Sequence, residues 1–364
     1  MLASLKNLSL LRKLVQLAAF VFLVYGSLIV GFYAADKISG SLPALACAYD
    51  QKTADYCVLI PFQHQMDHRV GATLAAGGEV FKALLPFLIT LGTFVLLFVL
   101  LNKAFCGWIC PLGFFQEITH MIGQKLGLQR TESLDDRAVD RIRPIKWLML
   151  AFLVFLFPLL TGLGYLGHDF GDPFCKICPS RILTTLATGD GSQVYVDTSS
   201  GGYLALSLIA DLLFGLMIGI GLTVRQPFCR ICPMLALHAT FRKVGLARLV
   251  KNGTPRCDKC GLCAKACPMD IREIHTEMEK KDVTFPDCTL CGRCVEFCPD
   301  KDVLQIRYAS VPVFSSGPQY FKRRKKAQTE WEKRSLLGWW RRRREPGGIR
   351  VIEERDEGGK NDAR

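Results

Sequence analysis

Residues 257–268 read CDKCGLCAKACP, and residues 288–299 read CTLCGRCVEFCP. Both stretches follow the run CxxCxxCxxxCP, in which four thiols and a final proline recur at fixed spacing. Proteins with two such runs use them to hold two cubane iron-sulfur clusters, and the fourth cysteine of each run binds the cluster of the other run. The predicted ligand sets are Cys257, Cys260, Cys263 and Cys298 for one cluster and Cys288, Cys291, Cys294 and Cys267 for the second.

The two runs predict a small α+β domain of the bacterial two-cluster (2x 4Fe-4S) ferredoxin type over residues 254–307. Gly261 and Gly292 help each loop curl around its cluster. Zinc is the alternative metal, since CxxC pairs also build tetrahedral zinc sites. Two complete copies of the longer run favour iron and sulfide instead. The chain has sixteen cysteines in all, enough for four groups of four, and electron transfer is therefore the first functional hypothesis.

The apolar residues, which make up 50% of the 364 residues, are concentrated in long windows. Four of these windows, residues 14–35, 81–101, 147–166 and 203–224, are long enough for a transmembrane helix of about 20 residues. The sequence therefore predicts a membrane protein with four transmembrane α-helices in residues 1–250, followed by the ferredoxin domain. A cleaved signal peptide is not expected, because the first window is too long and no small-residue cleavage site follows it.

Basic residues indicate the orientation of this membrane domain. Lys6, Arg12 and Lys13 lie before or at the start of the first window, and seven more basic residues lie in the loop 102–146. The loops 36–80 and 167–202 hold fewer basic residues and several acidic ones, so they are expected outside the cell membrane. We expect a multi-pass protein of the bacterial inner membrane with both termini cytoplasmic and a basic cytoplasmic tail, residues 308–364. This bias accounts for the net charge of +13, and no nucleic-acid partner is expected.

Four further cysteines follow the second and fourth windows on the predicted inner side. Cys106 and Cys110 lie in FCGWICP, and Cys229 and Cys232 lie in FCRICP. Four thiolates at the ends of two neighbouring helices predict a third cluster at the inner membrane face. Zinc stays the alternative there, and disulfides are disfavoured because the cytosol is reducing.

The last four cysteines, Cys47, Cys57, Cys175 and Cys178, fall in the two predicted outer loops. The stretch PFCKICP around Cys175 and Cys178 repeats the inner stretch PFCRICP almost letter for letter. One interpretation is a fourth cluster; the other is a Cys47–Cys57 disulfide with a redox-active or structural Cys175–Cys178 pair. Because a hydrocarbon core is about 30 Å thick, we expect a quinone, a haem or a partner subunit to bridge the inner and outer sites.

Three residues are candidates for a quinone or haem site. Asp211 lies inside the fourth window, where an ionisable residue is costly and often functional, although a structural hydrogen bond to a neighbouring helix is an equal alternative. His64 and His68 lie one turn apart if their stretch is helical. Gly215 and Gly219 predict close helix packing. His120 and His238 each follow one of the inner cysteine pairs; an ordinary surface role is expected for them, and a hydrogen bond near the cluster is the alternative.

Each inner pair of cysteines, Cys106 with Cys110 and Cys229 with Cys232, ends in Cys-Pro and is called a CP pair below. The chain resembles the membrane-bound ferredoxins of the NapH and MauN type, which are related to the membrane part of NosR. The resemblance is carried by the stretch CGWICPLGFFQE, the second CP pair and the two ferredoxin runs. The resemblance covers roughly residues 80–300. It implies a quinol-linked electron carrier that feeds a respiratory or maturation system, with Cys106, Cys110, Cys229 and Cys232 matching its cytoplasmic CP pairs. The second pair departs from the family in having two intervening residues instead of three, and the outer cysteines have no counterpart that the resemblance supplies.

The sequence thus predicts a membrane-bound iron-sulfur electron-transfer protein with redox partner subunits. These would be a quinol-linked donor and a periplasmic reductase or a maturation target. One alternative is an assembly factor that reduces a metal or a disulfide at the outer face. Another is a scaffold whose clusters carry no electrons. No catalytic acid-base or nucleophilic constellation and no stand-alone substrate site is visible in the sequence.

Overall fold

The computed structural model describes residues 8–30, 45–49, 55–128, 134–252, 257–322 and 325, and for residues 26–30, 45–49 and 55–56 it describes the backbone alone. Most of the predicted basic tail lies outside the described residues. Within them, four helices are long and apolar enough to cross a membrane. They are Leu8–Val30, Val80–Leu101, the helical stretch Asp136–Gly162 and Gly201–Gly221, called the first to fourth spans below. The prediction of four transmembrane helices is confirmed.

The spans turn apolar side chains outward, as lipid requires. In Val80–Leu101 the buried residues are Ala83, Phe94 and Phe98, while Phe81 and Leu96 on its outer surface are exposed. The first span begins at Leu8 and the third stretch at Asp136, earlier than residues 14 and 147. The hydropathy windows missed these starts because charged residues lie near both of them: Arg12 in the first span, which is buried and paired with Glu117, and Asp136, Arg137 and Asp140 in the third.

Short helices, turns and strands fill the two connections that were expected as outer loops. After the first span come the strands β1 (Leu45–Tyr49) and β2 (Asp55–Cys57), the helix Leu59–His64, a π-helical stretch Gln65–Gly71 and the turn Ala72–Ala75. After the third span come the helices Pro173–Ile177 and Pro179–Ala187 and two 3-10 turns, His168–Phe170 and Ser192–Val194. Both connections fold back into the helix bundle, and Phe62 and Phe174 are fully buried there.

Close backbone contacts between helices occur at glycines other than those predicted. A Cβ atom on Gly162 would lie 2.2 Å from the carbonyl oxygen of Asp67, and one on Gly123 would overlap the carbonyl oxygen of Leu222. In contrast, a Cβ atom on Gly215 or Gly219 would meet no atom within 4 Å. The prediction that these two glycines pack against another helix of the chain is therefore wrong for the described residues. Both glycines lie on the exposed side of the fourth span.

The ferredoxin domain combines a small sheet with short helices. Strands β3 (Ala247–Lys251), β4 (Leu304–Tyr308) and β5 (Val311–Ser315) form an antiparallel sheet in the order β3-β4-β5. The helices are Leu262–Ala266, Glu273–Thr276 and Arg293–Glu296. Gly261 and Gly292 precede two of these helices with φ of 74° and 78°, a left-handed conformation that favours glycine.

The ferredoxin domain is docked on one end of the helix bundle, here called the ferredoxin-side face. Gly107 touches the loop 288–291, because a Cβ atom there would lie 2.3 Å from the carbonyl oxygen of Thr289. The indole Nε1 of Trp108 donates to the carbonyl oxygen of Leu290 at 3.0 Å. Buried ion pairs join the same two parts: Arg230 with Asp270 at 2.7 Å, and Lys146 with Asp287. A buried pair requires well-formed hydrogen bonds, so this docking geometry is specific.

Candidate metal centres

The ferredoxin domain contains two cavities, each lined by four cysteines from both runs. The first, with an empty volume of about 310 Å³, is lined by Cys267, Cys288, Cys291 and Cys294 together with apolar side chains. The second, of about 300 Å³, is lined by Cys257, Cys260, Cys263 and Cys298. In both cavities the fourth cysteine comes from the other run. The structure therefore brings together the same two sets of cysteines that the sequence spacing predicts.

The chemistry of these donors fits a cubane cluster. Burial raises the pKa of Cys267 and of Cys288 to about 12, so their thiolates need a positive partner in the cavity, which iron would supply. Among the described residues, no group of three or more His, Cys, Asp or Glu side chains converges tightly enough for a single metal ion. Each thiolate of a cubane binds a different iron, and its ligands accordingly stand farther apart than those of a mononuclear site.

The CP cysteines form a third group at the ferredoxin-side face. Cys106 lies in the helix Ala104–Trp108 and Cys229 in the 3-10 turn Phe228–Arg230. Cys110 and Cys232 each precede a helix that starts with proline, Pro111–Leu126 and Pro233–Phe241. Burial is the main cause that raises the pKa of Cys106 well above its usual range, and the charges of Cys110 and Cys229 add to the shift. These thiols are close enough to interact electrostatically.

Polar side chains from the bundle surround this third group. Nδ1 of His238 lies 3.0 Å from Sγ of Cys106. Nε2 of Gln116 donates to Sγ of Cys229 at 3.4 Å, while its Oε1 accepts from the backbone N–H of Phe228 at 3.0 Å. The expected surface role of His238 is wrong, because its side chain is fully buried.

His120 is also buried, although a surface role was expected for it as well. Both histidines follow a CP pair on a helix that packs into the bundle, and a sequence pattern of short apolar runs does not distinguish such a helix from a surface helix. The positions of His120 and His238 are therefore corrections to the sequence interpretation.

The third group of cysteines adjoins the first ferredoxin cavity. Gly107, one residue after Cys106, packs on the backbone of Cys291, and Cys106, Cys229 and Cys232 pack against the apolar core of the ferredoxin domain. Lys103 is buried between the two groups, and its Nζ donates to the carbonyl oxygens of Phe285 (3.0 Å) and Pro286. Burial lowers the pKa of Lys103 to about 8, while the charges of Cys288 and Cys106 oppose this shift.

Three of the cysteines expected on the outer side lie deep in the helix bundle. Cys57, Cys175 and Cys178 have at most 4% of their surface exposed. Nε2 of Gln63 donates to Sγ of Cys175 at 3.0 Å, and its Oε1 accepts from the backbone N–H of Phe174 at 3.1 Å. Cys47 lies on β1, and its side chain lies outside what the structure describes.

The sequence interpretation separated these cysteines from the CP pairs by the hydrocarbon core, and for the described residues this is wrong. Cys57, Cys175 and Cys178 belong to one hydrophobic core with Phe105, against which Cys110 and Cys232 also pack. Burial raises the pKa of Cys110 to about 11. Backbone N–H groups of the following turn oppose the rise, and the charges of Cys178 and Cys57 add to it. The two sets are close because both connecting segments fold inward.

The three candidates for a quinone or haem site do not converge on the cysteines. His64 and His68 lie one helical turn apart, as predicted, and their rings stack with centroids 5.8 Å apart. Both are exposed, whereas the adjacent Gln63 is buried. Asp211 is half-buried in the fourth span, next to the buried Ala210. These positions are on the surface of the bundle.

Sequence reasoning missed several polar residues of these sites. Gln63 and Gln116 both contact cysteine sulfur from a distant part of the chain, and Lys103 links two cysteine groups. One signal was available: Gln63 stands six residues after Cys57, as Gln116 stands six residues after Cys110. No comparable signal in the sequence identified Lys103.

Comparison with protein families agrees with this geometry. A model described as a 4Fe-4S binding domain matches residues 83–129 and again residues 206–252, the two parts that carry the CP pairs. A model described as a 4Fe-4S dicluster domain matches residues 249–299, which carry both ferredoxin runs. No solved structure matches the chain.

Named relatives lead to the same class of protein. The chain is 28% identical over 187 residues to the putative electron transport protein YccM of Escherichia coli, a match that covers 50% of this chain and 46% of that protein. It is 26% identical over 263 residues to the methylamine utilization ferredoxin-type protein MauN of Methylorubrum extorquens, covering 71% of this chain and 73% of MauN. An uncharacterized protein of Methanocaldococcus jannaschii is 29% identical over 189 residues, covering 52% and 67% of the two chains.

The matched regions thus span from about half to about three quarters of these relatives. With the four spans and the 4Fe-4S domains in place, the resemblance to the membrane-bound ferredoxins of the NapH and MauN type is confirmed, and the chain is a relative of these ferredoxin-type electron transport proteins.

Proposed function

We propose that the chain transports electrons between its ferredoxin domain and the interior of the membrane, where a quinol is the second redox partner. One observation carries the proposal. The CP loop at Gly107 packs directly on the ferredoxin loop at Thr289 and Cys291, so the cysteine groups of the two domains are neighbours. A ferredoxin that served soluble partners alone would have no need to bury a cysteine loop against a membrane domain.

Three cysteine groups would hold clusters in this function. The ligands are Cys257, Cys260, Cys263 and Cys298; Cys267, Cys288, Cys291 and Cys294; and Cys106, Cys110, Cys229 and Cys232. A bound cubane supplies reversible one-electron chemistry. The protein supplies the positions of the ligands and the polar groups around them.

Polar groups near the sulfur atoms set how readily each site accepts an electron. Lys103 places a buried cation between Cys288 and Cys106, and His238 and Gln116 contact sulfur at the CP pairs. Such groups favour the more negative, reduced form of a cluster. The site at the CP pairs is thus built to accept electrons in a region where charge is otherwise costly.

Oxidation of a quinol requires acceptors for both its electrons and its protons. Oxidation of one quinol to the quinone releases two electrons and two protons, and one-electron sites take the electrons singly. Asp211 in the fourth span and the stacked pair His64 and His68 are the candidate groups for receiving the protons. The basic residues that flank the spans support an inner-membrane protein with cytoplasmic termini.

Anaerobic purification with iron and sulfide analysis tests the proposal. We expect at least about twelve irons and twelve sulfides per chain. The variant Cys229→Ser should lower the iron count by about four and leave the paramagnetic signals of the ferredoxin domain intact. In vesicles, a short-chain quinol should reduce the iron-sulfur clusters of the wild-type protein faster than those of Asp211→Asn. A colourless preparation that contains zinc would refute the proposal.

A further inference from the structure

The chain contains a second copy of the CP site. The segment after Cys57 reads CVLIPFQ and the segment after Cys110 reads CPLGFFQ, so each cysteine is followed by a glutamine six residues later. The partner segments read PFCKICP at residues 173–179 and PFCRICP at residues 227–233. Each copy therefore combines a segment that ends in glutamine with a PFCKICP or PFCRICP segment, and the two kinds of segment pair in the same way in both copies. A single matching heptapeptide would carry less weight.

The repeated residues make the same contacts at both places. In one copy, Nε2 of Gln63 donates to Sγ of Cys175 and to the carbonyl oxygen of Leu59 (2.9 Å), and its Oε1 accepts from Phe174. In the other, Nε2 of Gln116 donates to Sγ of Cys229 and to the carbonyl oxygen of Leu112 (3.2 Å), and its Oε1 accepts from Phe228. Both glutamines are fully buried. Such a shared set of three polar contacts indicates a duplicated site.

The two copies are built from connections at opposite ends of the spans, although both fold into the same core. One is assembled from the segments that follow the first and third spans, and the other from the segments that follow the second and fourth spans. Successive spans run in opposite directions, so the two copies have inverted topology relative to each other. This arrangement indicates an internal duplication of the kind known from membrane transporters. The copy at Cys229 coincides with the matched 4Fe-4S binding segments, and the copy at Cys175 lies outside them.

Burial argues against thiol exchange at the second copy. A thiol that reduces an external disulfide has to be accessible and to have a lowered pKa. Cys175 has only 4% of its surface exposed, and its Sγ is not in a disulfide but accepts the hydrogen bond from Gln63. Cys57 and Cys178 are buried in the same core as Cys175. Converging buried thiols of this kind are suited to a positive inorganic centre.

We infer that Cys57, Cys175 and Cys178, with Cys47 as the fourth ligand, hold a further 4Fe-4S cluster inside the helix bundle, and that Gln63 positions Cys175 for it. Cys47 is assigned because the other three groups of four account for all remaining cysteines and because its strand β1 pairs with the strand that carries Cys57. The inference rests on the proposed function. Since Cys110 and Cys232 pack against the same core as Cys57 and Cys178, the two membrane sites are neighbours, and no separate carrier is needed between them.

Iron analysis of matched variants tests the assignment. The anaerobic wild-type protein should contain about sixteen irons. Cys175→Ser should remove about four of them, as Cys229→Ser should at the other copy, and the double variant should lose both sets. If the wild type contains about twelve irons and Cys175→Ser leaves that number unchanged, the inference is overturned while the proposed function stands. A wild type with only the ferredoxin irons would instead refute the proposed CP site.

A second pair of variants leaves every proposed ligand in place. Gln63→Leu and Gln116→Leu each remove one hydrogen bond to sulfur, and each should shift the midpoint potential of a different cluster downward in a redox titration followed by electron paramagnetic resonance. Gln63→Glu and Gln116→Glu keep the side-chain length and add a negative charge. Their midpoint potentials are measured in the same titration for comparison. If Gln63→Leu leaves every signal and potential unchanged, or if a mass-tag alkylation finds Cys47 and Cys57 in a disulfide, the inference is wrong.

Discussion

Nδ1 of His238 lies 3.0 Å from Sγ of Cys106, and the imidazole is fully buried among Phe94, Phe98 and Phe105. Burial is the main cause that lowers the pKa of His238 to about 3, and the charge of Lys103 adds to it. The ring is therefore neutral, and if Cys106 binds a cluster as a thiolate, the tautomer with its proton on Nδ1 would donate to the sulfur. In that state His238 would be a hydrogen-bond donor to a ligand of the proposed CP site.

Replacing His238 should change the potential of the CP site and leave its iron content unchanged. His238→Phe fills the same aromatic pocket but removes the donor, so the reduced form loses a hydrogen bond and the potential should fall by on the order of 60 mV, the equivalent of about 1.4 kcal/mol for one electron. His238→Asn, whose amide can take the place of Nδ1, should restore part of the shift. Redox titration measures both variants. An unchanged potential in His238→Phe would contradict the assigned role.

Lys103 should act on two sites at once. Its charge lies near Cys288 of the ferredoxin domain and Cys106 of the CP pairs, in a buried environment where screening is weak. Lys103→Met should therefore lower both potentials, whereas Lys280→Met, on an exposed lysine of the ferredoxin domain, should change neither. Potentiometric titration of the two variants separates the effect of a buried cation from that of net charge. Equal shifts in the two variants would rule out a local role for Lys103.

Gly107 should be necessary for the contact between the two domains. A Cβ atom there would lie 2.3 Å from the carbonyl oxygen of Thr289, and backbone cannot move aside cheaply. Gly107→Ala is expected to cost about 1–3 kcal/mol of docking free energy and to slow electron exchange between ferredoxin domain and membrane domain at least tenfold. Rapid-mixing reduction kinetics, recorded with intact ferredoxin signals, provide the measurement.

Gly215→Ala is the control for Gly107→Ala, because a Cβ atom at Gly215 meets nothing within 4 Å. The control should reduce at the wild-type rate. A Gly107→Ala protein that also exchanges electrons at the wild-type rate would show that the contact is not on the route of electron transfer.

The grouping of the eight ferredoxin cysteines around two cavities was predictable because it depends on local spacing. Two CxxC turns with glycine at the left-handed position place three thiols around one point, and the proline after the fourth cysteine directs the chain to the other run. The four spans were predictable for a similar reason, since apolar length is a local property. In both cases the decisive residues are neighbours in the sequence.

The inward folding of the two outer connections was not predictable in the same way. Gln63 and Cys175 are more than a hundred residues apart, and the hydrogen bond between them depends on how the third span packs on the first connection, where Gly162 lies against Asp67. The repeated glutamine was visible in the sequence, but its meaning emerged from its hydrogen bonds. Hydropathy alone placed these loops in water because it does not detect short apolar segments that pack on protein.

Buried His120 should make the stability of the bundle depend on pH. Burial is the main cause that lowers its pKa from 6.5 to about 4, and the charges of Arg225 and Arg293 add to the shift. Because the folded state holds the histidine neutral, its contribution to stability is complete above about pH 6.5 and is lost as the pH falls toward 4. Thermal unfolding in detergent should show a midpoint that declines across this window.

His120→Phe removes the titrating group from the same site, so its unfolding midpoint should decline less between pH 6.5 and 4 than that of the wild type. His275→Phe, in the ferredoxin domain where the imidazole contacts the carbonyl oxygen of Lys259 at 3.1 Å, is the matched control and should retain the wild-type pH dependence. Unfolding is best followed by tryptophan fluorescence in a background where only Trp108 and Trp147, which lie in the bundle, are kept. Identical pH profiles for His120→Phe and the wild type would mean that His120 is protonated in the folded protein or that its burial has no energetic consequence.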